Sequence, residues 1–294
     1  MTMTNPRVTV CLQNLIDLAS AGASLRLFRH QRLASQTGNY VSRVKGRGME
    51  FDETRLYQAG DDIRTIDWRV TARTGKPHTK VFREERERPV FISVDQRAAM
   101  HFATRGVFKS VQAAKLAGLL AWAAEHHGDR IGGQIFNETM CLELKPHSGK
   151  HAVLRLLNAL ATPKPNGLAL SYEQVLARLN QHARPGSLVY LISDFRGINA
   201  QVEAYLAKLG RHCELVLIFV YDALEAQLPD KGQYRFANDE REVFVDAANH
   251  QGLSTYRQRF QARQEQLQAL ARLHNMRFVL CDTHADPIRC LAAA

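Results

Sequence analysis

Short, nearly continuous apolar runs alternate with amphipathic stretches from about residue 90 to residue 282. The runs have the length and the β-branched content of buried strands, and the stretches between them have the spacing of helices. Strands that are apolar throughout belong to parallel sheets, which helices cover on both faces. The pattern therefore predicts an α/β domain with a doubly wound, mostly parallel sheet over residues 89–294.

The positions of the individual elements follow from the same periodicity. Strands are expected at residues 90–95, 130–136, 140–146, 187–194, 213–222 and 276–282. Helices are expected at residues 108–127, 151–161, 172–183, 200–209 and 253–275. Residues 234–237 and 242–245 flank Asn238-Asp239 and predict a hairpin at the rim of the sheet.

Residues 1–88 have a different pattern and form the first part of the predicted domain division. Residues 8–28 predict one helix. Residues 45–89 are dense in glycine and in charges of both signs, with apolar residues between them. Nine carboxylates within such a segment favour a folded, internally paired element over a simple cationic tail, and a solvated loop is the open alternative.

Composition narrows the compartment and the partners. The chain has 39 Lys and Arg against 29 Asp and Glu, and its formal charge of +10 favours acidic partners without naming one. Five cysteines with no C-x-x-C spacing indicate a reducing compartment. The sequence contains no apolar run of about 20 residues and no signal-peptide core, so a cytoplasmic location without membrane insertion is expected.

Two predicted strands end in an aspartate, Asp95 after the first strand and Asp194 after the fourth. Sites in open α/β sheets form at the carboxyl ends of strands, where the strand order reverses. If these strands are neighbours there, the two carboxylates would form an oxygen site for Mg²⁺. The alternative is that each aspartate caps the following turn or forms a salt bridge.

The residues after Asp95 weaken the metal interpretation. No hydroxyl oxygen follows that strand, and the guanidinium of Arg97 could occupy the place of a cation and neutralise both carboxylates. Thr162, in a loop after a predicted helix, is the candidate for a hydroxyl ligand. The expectation is therefore a degenerate site of Asp95, Asp194 and Thr162, at which Mg²⁺ binding stays open but is disfavoured, and no other cofactor is indicated.

Signatures of common enzymes are missing from the sequence. It has no P-loop, no H-E-x-x-H and no G-x-S-x-G motif, so we expect a protein that is not an enzyme. Two alternatives stay open. One is a nucleic-acid-binding protein that uses the net positive charge, although no pattern of basic and aromatic residues supports that partner. The other is a metal-dependent hydrolase or phosphotransferase at Asp95 and Asp194.

The charged segment carries a long motif of glycine, acidic, basic and aromatic positions. It reads Gly46-Arg47-Gly48-Met49-Glu50-Phe51-Asp52-Glu53, then Arg55, Tyr57, Gly60-Asp61-Asp62-Ile63-Arg64, Ile66-Asp67-Trp68 and Ala72-Arg73. This motif resembles the signature of a bacterial family of domains of unknown function, number fifty-eight. The resemblance continues to Gly132 and, with the predicted sheet, covers most of the chain.

The resemblance implies a von Willebrand factor A-like domain and a non-enzymatic adaptor for MoxR-type AAA+ ATPases and their client proteins, in protein maturation, complex assembly, stress or envelope processes. In such a domain a metal-ion-dependent adhesion site has the pattern Asp-x-Ser-x-Ser, a loop threonine and a later aspartate. Asp95, Thr162 and Asp194 match these positions. Arg97 and Ala99 replace the two serines, which removes two oxygen ligands for Mg²⁺.

The chemistry of the motif suggests how its residues would be used. Gly46, Gly48 and Gly60 permit tight turns. Tyr57 and Trp68 offer apolar anchors. Bidentate ion pairs are expected from Arg55, Arg64 and Arg73 to Glu50, Asp61, Asp62 or Asp67. These pairs would either fix the segment as a scaffold or form a recognition surface, and both roles remain open at this stage.

Overall fold

The computed structural model describes residues 5–28, 49–84, 88–162, 170–228, 233–237, 242–246 and 250–292. The chain forms two compact units. We call residues 1–30 with 88–294 the sheet unit, and residues 31–87 the small unit. The sequence division placed residues 1–88 together, whereas in the structure residues 1–30 group with the sheet.

The centre of the sheet unit is a sheet of six strands: β3 (Pro89–Asp95), β4 (Arg130–Phe136), β5 (Cys141–His147), β6 (Leu188–Ser193), β7 (Glu214–Tyr221) and β10 (Arg277–Asp282). They lie in the order β10-β7-β6-β3-β4-β5. Neighbouring strands are parallel except for β5, which runs antiparallel to β4 at one edge. The predicted fold class, α/β with a doubly wound and mostly parallel sheet, is confirmed.

Helices cover both faces because the strand residues alternate between two cores. In β6, Leu188, Tyr190 and Ile192 face one core and Val189 and Leu191 face the other. The first core includes α4 (Lys109–His126), α5 (Lys150–Ala161) and α10 (Pro287–Ala292). The second core includes α6 (Tyr172–His182), α7 (Ala200–His212) and α9 (His250–Leu273).

Residues 8–28 form two short helices, α1 (Leu12–Ile16) and α2 (Ala19–Ala23), so the prediction of one helix is wrong. Both pack against the first core. Trp122 of α4 donates a hydrogen bond from Nε1 to the carbonyl oxygen of Leu15 at 3.0 Å. A β-carbon on Gly22 would lie 2.5 Å from Cβ of Trp122, so only glycine permits this approach.

The small unit contains a two-stranded antiparallel sheet and two short helices. Strand β1 (Met49–Leu56) pairs with β2 (His78–Glu84). Between them lie a 3₁₀ helix, Ile63–Thr65, and α3 (Trp68–Thr74). Gly75 ends α3 with a φ of 71°, the left-handed conformation that favours glycine at this position.

The predicted hairpin is present as β8 (Gln233–Ala237) and β9 (Glu242–Asp246), which pair antiparallel. A four-residue helix, α8 (Ala223–Ala226), follows β7. Among the described helices, none has both the length and the apolar character that a membrane span requires.

Candidate functional site

The carboxyl ends of β3 and β6 bring the two predicted aspartates together. The two strands are neighbours in the sheet, and the strand order reverses between them. Nη2 of Arg97 lies 2.7 Å from Oδ2 of Asp95 and 3.8 Å from Oδ1 of Asp194. The expected convergence of the carboxylates is therefore found, and a guanidinium lies between them.

Asp95 is fully buried and both of its oxygens have donors. Arg97 donates from Nε to Oδ1 and Oδ2 at 3.0 Å each and from Nη2 to Oδ2 at 2.7 Å. Its backbone N–H also donates to Oδ1, and the Ser193 hydroxyl donates to Oδ2 at 2.6 Å. The ring of Tyr172 lies 4.4 Å from the guanidinium carbon and adds a cation–π contact.

Asp194 is held by a second cation that the sequence interpretation missed. Lys109, the first residue of α4, is fully buried. Its ammonium donates to Oδ2 of Asp194 at 3.0 Å and to Oε1 of Glu225 at 2.8 Å. Arg196 donates to the same Glu225 oxygen at 2.6 Å. We call these residues the strand-end charge cluster: Asp95, Arg97, Lys109, Asp194, Arg196 and Glu225.

The backbone after β6 positions this cluster. Phe195 is buried and has a φ of 52°, an uncommon left-handed conformation for a bulky residue. Its N–H donates to Oγ of Ser193 at 2.8 Å, and that hydroxyl donates to Asp95. The N–H of Arg196 donates to Oδ1 of Asp194 at 3.1 Å. The turn with this uncommon backbone conformation thus places the Ser193 hydroxyl against Asp95 and the Arg196 N–H against Asp194.

Burial and pairing shift the two aspartates in opposite directions. Burial raises the pKa of the Asp95 carboxyl above its ordinary value, although the hydrogen bonds from Arg97 oppose that shift. Burial also works against ionisation of Asp194, but the Lys109 charge and the Arg196 N–H outweigh it, so the pKa of Asp194 lies below its ordinary value. Asp194 is therefore stabilised as a carboxylate.

The residues at this edge do not fit a bound Mg²⁺. Arg97 occupies both oxygens of Asp95, and Ala99 offers no ligand atom. The hydroxyl of Thr162 donates to the carbonyl oxygen of Asn158 at 2.7 Å, at the end of α5. Within the described residues, no group of three or more His, Cys, Asp or Glu side chains could hold a metal ion. The alternative interpretation, turn capping with ion pairing, describes both aspartates.

Three members of the cluster escaped the sequence interpretation because they come from distant parts of the chain. Lys109 gave a usable signal, since it is a lysine at the start of a helix that is otherwise mostly apolar. Glu225 is the last residue of a capping box that begins at Asp222 and follows β7. Arg196 offered no signal beyond its place two residues after Asp194.

A second carboxylate site lies beside the cluster at Asp222. The Thr104 hydroxyl donates to its Oδ1 at 2.6 Å, and the Thr283 hydroxyl donates to its Oδ2 at 2.7 Å. Burial works against ionisation, but the hydrogen bonds from Thr104 and Thr283 outweigh it and lower the pKa of Asp222. This aspartate connects the segment before α4 to the ends of β7 and β10.

The motif residues of the small unit are partly used to hold it together. Arg55 forms a bidentate pair with Asp61, with distances of 2.9 and 2.8 Å. Asp62 and Asp67 accept backbone N–H groups at the start of the 3₁₀ helix and of α3. Nζ of Lys80 lies 3.9 Å from Asp67. The expected pairing of Arg55 is therefore found, while two of the acids cap helices.

The other motif residues have different surroundings. Arg64 and Arg73 are exposed, and within the described residues neither forms an ion pair. The side chain of Glu50 and residues Gly46 and Gly48 lie outside the described part of the structure. Tyr57 is half-buried.

Apolar exposure is the distinctive property of the small unit. Trp68, expected as an apolar anchor, is 67% exposed. Ile63 is 65% exposed and Leu56 is 53% exposed. These large side chains occur on a segment whose acids and bases are partly paired with one another, so they remain available for contact with another molecule.

The molecule is thus an α/β protein with a doubly wound sheet, a self-neutralised strand-end cluster and a small charged unit inserted before the sheet. Residues 53–269 match the family described as "Protein of unknown function DUF58". The chain belongs to this family, and the resemblance drawn from the motif is confirmed.

Curated proteins and solved structures are similar to large parts of this chain. The uncharacterized proteins Rv1480 of Mycobacterium tuberculosis and Mb1516 of Mycobacterium bovis are each 31% identical to this chain over 238 residues, which is 79% of this chain and 75% of the relative. Among solved structures, an aerotolerance-related membrane protein from Bacteroides fragilis matches 70% of this chain and 96% of its own, with a TM-score of 0.48 and 14% identity. The conserved hypothetical protein BatB from Bacteroides thetaiotaomicron matches 63% of this chain and 99% of its own, with a TM-score of 0.41 and 12% identity.

Proposed function

We propose that this protein is a non-enzymatic adaptor that binds a MoxR-type AAA+ ATPase and its client protein, and that the small unit carries the recognition surface. The ATPase partnership comes from the resemblance of the motif at residues 46–73. The observation that carries the choice of surface is the exposure of Trp68, Ile63 and Leu56. A cytoplasmic location goes with this proposal, because an ATP-driven partner works where ATP is available.

The contacts within the small unit support recognition by these apolar side chains. Its turns are held by Arg55 with Asp61 and by the caps at Asp62 and Asp67. Trp68 is therefore not needed to close the unit, yet it exposes a large aromatic surface. Exposed tryptophan side chains are enriched among the residues that dominate protein–protein binding energy.

The strand-end charge cluster supports a role without catalysis at the sheet. A divalent ion would have to displace the guanidinium of Arg97 from both oxygens of Asp95. Lys109 donates a hydrogen bond to Oδ2 of Asp194, which an ion would also have to displace. The proposal therefore assigns the cluster to structure and assigns partner binding to the small unit.

The test is affinity purification of the tagged protein from its source bacterium, with mass spectrometry for AAA+ ATPases. We expect a MoxR-type ATPase to be retained by the wild type. Trp68→Ala should weaken retention by about thirtyfold, since a central interface tryptophan contributes about 2 kcal/mol. Ile63→Ser should act in the same direction.

Leu273→Ser is the matched control, because Leu273 is 77% exposed but lies in the sheet unit. It should retain the ATPase as the wild type does, and all variants should keep the wild-type melting temperature. Recovery of no AAA+ ATPase by the wild type would refute the partnership. Equal retention by wild type and Trp68→Ala would refute the surface.

A further inference from the structure

Two cysteine side chains meet between the last described strand and the last described helix. Cys281 lies in β10, is 1% exposed and belongs to the first core. Cys290 lies in α10, is half-buried and packs against the same core. The two side chains lie close enough for their thiols to interact, and both thiols are free. Nothing in the spacing of the five cysteines predicts this pair.

Gln112 of α4 holds the connection between these two elements. Its Nε2 donates to Sγ of Cys281 at 3.4 Å, to the carbonyl oxygen of Asp282 at 3.1 Å and to that of Ala285 at 2.8 Å. One buried amide therefore fixes the strand end and the turn that leads into α10. The contact between the thiols is consequently part of the folded arrangement of the sheet unit.

The two thiols are chemically unequal. The hydrogen bond from Cys281 lowers the pKa of the Cys290 thiol, and the same bond together with burial raises the pKa of Cys281. Cys290 is also the more accessible of the two. Since the thiolate is the reactive form of cysteine, Cys290 has the character of an attacking thiol and Cys281 that of a resolving thiol.

We propose that Cys281 and Cys290 form a reversible disulfide when the protein meets a hydroperoxide. The sulfur of Cys290 attacks one peroxide oxygen, the S–O bond forms, the O–O bond breaks, and the released hydroxide takes up a proton to become water. The sulfur of Cys281 then bonds to the sulfur of Cys290 and gives up its proton, and the S–O bond breaks with loss of a second water.

Two thiols and one hydrogen peroxide thus give one disulfide and two waters, with two electrons passing from sulfur to oxygen. A disulfide requires a sulfur–sulfur distance of about 2.05 Å, so oxidation must bring Cys290 of the six-residue helix α10 into bonding distance of Cys281 in β10. A dithiol reductant reverses the bond by thiol–disulfide exchange. The product is a covalent tie between an edge strand and the helix that packs on it.

The test treats the reduced full-length protein with hydrogen peroxide, blocks remaining thiols with an alkylating reagent and digests without reduction. Trypsin cleaves after Arg277 and Arg289, so Cys281 and Cys290 fall in separate peptides, residues 278–289 and 290–294. We expect these two peptides to be joined by a disulfide, and a dithiol to release them. Cys11, which is exposed, reports the reactivity of an ordinary thiol in the same sample.

Two variants distinguish the roles of the sulfurs. Cys290→Ser should abolish the cross-link and leave Cys281 open to alkylation after unfolding. Cys281→Ser should stop the reaction at a sulfenic acid on Cys290, which dimedone captures. The proposal is overturned if both thiols stay reduced at peroxide concentrations that oxidise Cys11. It is equally overturned if Cys290 proceeds to the sulfinic acid in the wild type without a cross-link.

Discussion

Lys109→Met is the substitution that tests the strand-end charge cluster most directly. Lys109 is fully buried and is within 3.0 Å of Asp194 and 2.8 Å of Glu225. Methionine keeps much of the apolar stem and removes the ammonium. Removing one partner of a buried ion pair costs about 3–5 kcal/mol, because the remaining charge is left uncompensated. Arg196 still reaches Glu225 at 2.6 Å and Asp194 at 3.3 Å, so the cost should lie near the lower end of that range.

Thermal and urea unfolding would measure this loss. For a domain of about 150–250 residues, 1 kcal/mol corresponds to about 2–4 °C, so the melting temperature should fall by about 6–20 °C. Lys115→Met is the matched control on the same helix. Lys115 is partly exposed and forms no ion pair among the described residues, so its replacement should change the free energy of unfolding by less than about 0.5 kcal/mol.

The pH dependence of the stability loss distinguishes the loss of the Lys109 charge from the loss of its packing. Lys109 is one of the groups that keep the pKa of Asp194 below its ordinary value. Without it, the pKa of Asp194 should rise above its wild-type value, because burial opposes ionisation and only the two arginines remain nearby. The stability deficit of the variant is therefore present at neutral pH, and it disappears as pH falls below about 4 through the wild-type pKa of this carboxyl. A deficit under about 1 kcal/mol, or one unchanged between about pH 7 and about pH 2, would refute the reasoning.

Three further changes test other contacts by melting temperature. Gly22→Ala should destabilise the protein by about 1–3 kcal/mol, because the new β-carbon would lie 2.5 Å from Cβ of Trp122. The control Gly118→Ala places its β-carbon no nearer than 3.5 Å to any side chain and should be neutral or stabilising. Equal effects of the two substitutions would contradict the packing argument. Arg97→Ser should destabilise the protein by about 3–5 kcal/mol, because it leaves Asp95 without its partner. Millimolar Mg²⁺ should restore part of that loss in the variant alone. A Mg²⁺ effect of the same size on the wild type would contradict the argument that the Arg97 guanidinium excludes the ion. The pKa of Asp222 is lowered in the folded protein, so its carboxylate stabilises the fold above about pH 4, and this contribution is lost as pH falls through the folded pKa. Asp222→Asn should therefore lose less stability than the wild type between about pH 5 and about pH 2. Stability curves of the two proteins that run parallel over this range would refute the argument.

The fold of the sheet unit was largely predictable because apolar periodicity reports burial directly. The strand predicted at residues 130–136 is β4 with the same bounds, and the helix predicted at residues 108–127 is α4 within one residue at each end. The helix at residues 8–28 failed for a tertiary reason. Its apolar residues pack on α4 through two short helices, and periodicity does not report the turn between them.

Only those residues of the site that follow a predicted strand end could be predicted from the sequence. Strand ends and topology predicted that Asp95 and Asp194 converge, and the proximity of Arg97 along the chain identified it as a rival to a metal. Lys109 and Glu225 arrive from other elements, and their meeting depends on packing that no local pattern reports. Trp68 illustrates the same limit, because the sequence of a short helix does not say which side faces solvent.

The composition of the strand-end charge cluster has a mechanical consequence for the sheet. Its three carboxylates and three cations are carried by β3 and the residues after it, by α4, by the turn after β6 and by α8. A bound metal can leave when its free concentration falls, but arginine and lysine side chains are attached covalently to the chain. Sliding α4 along the sheet would therefore break the contacts of Lys109 with both Asp194 and Glu225 at once. Ion pairs therefore connect α4 to the switch point of the sheet, which favours a rigid arrangement at this edge.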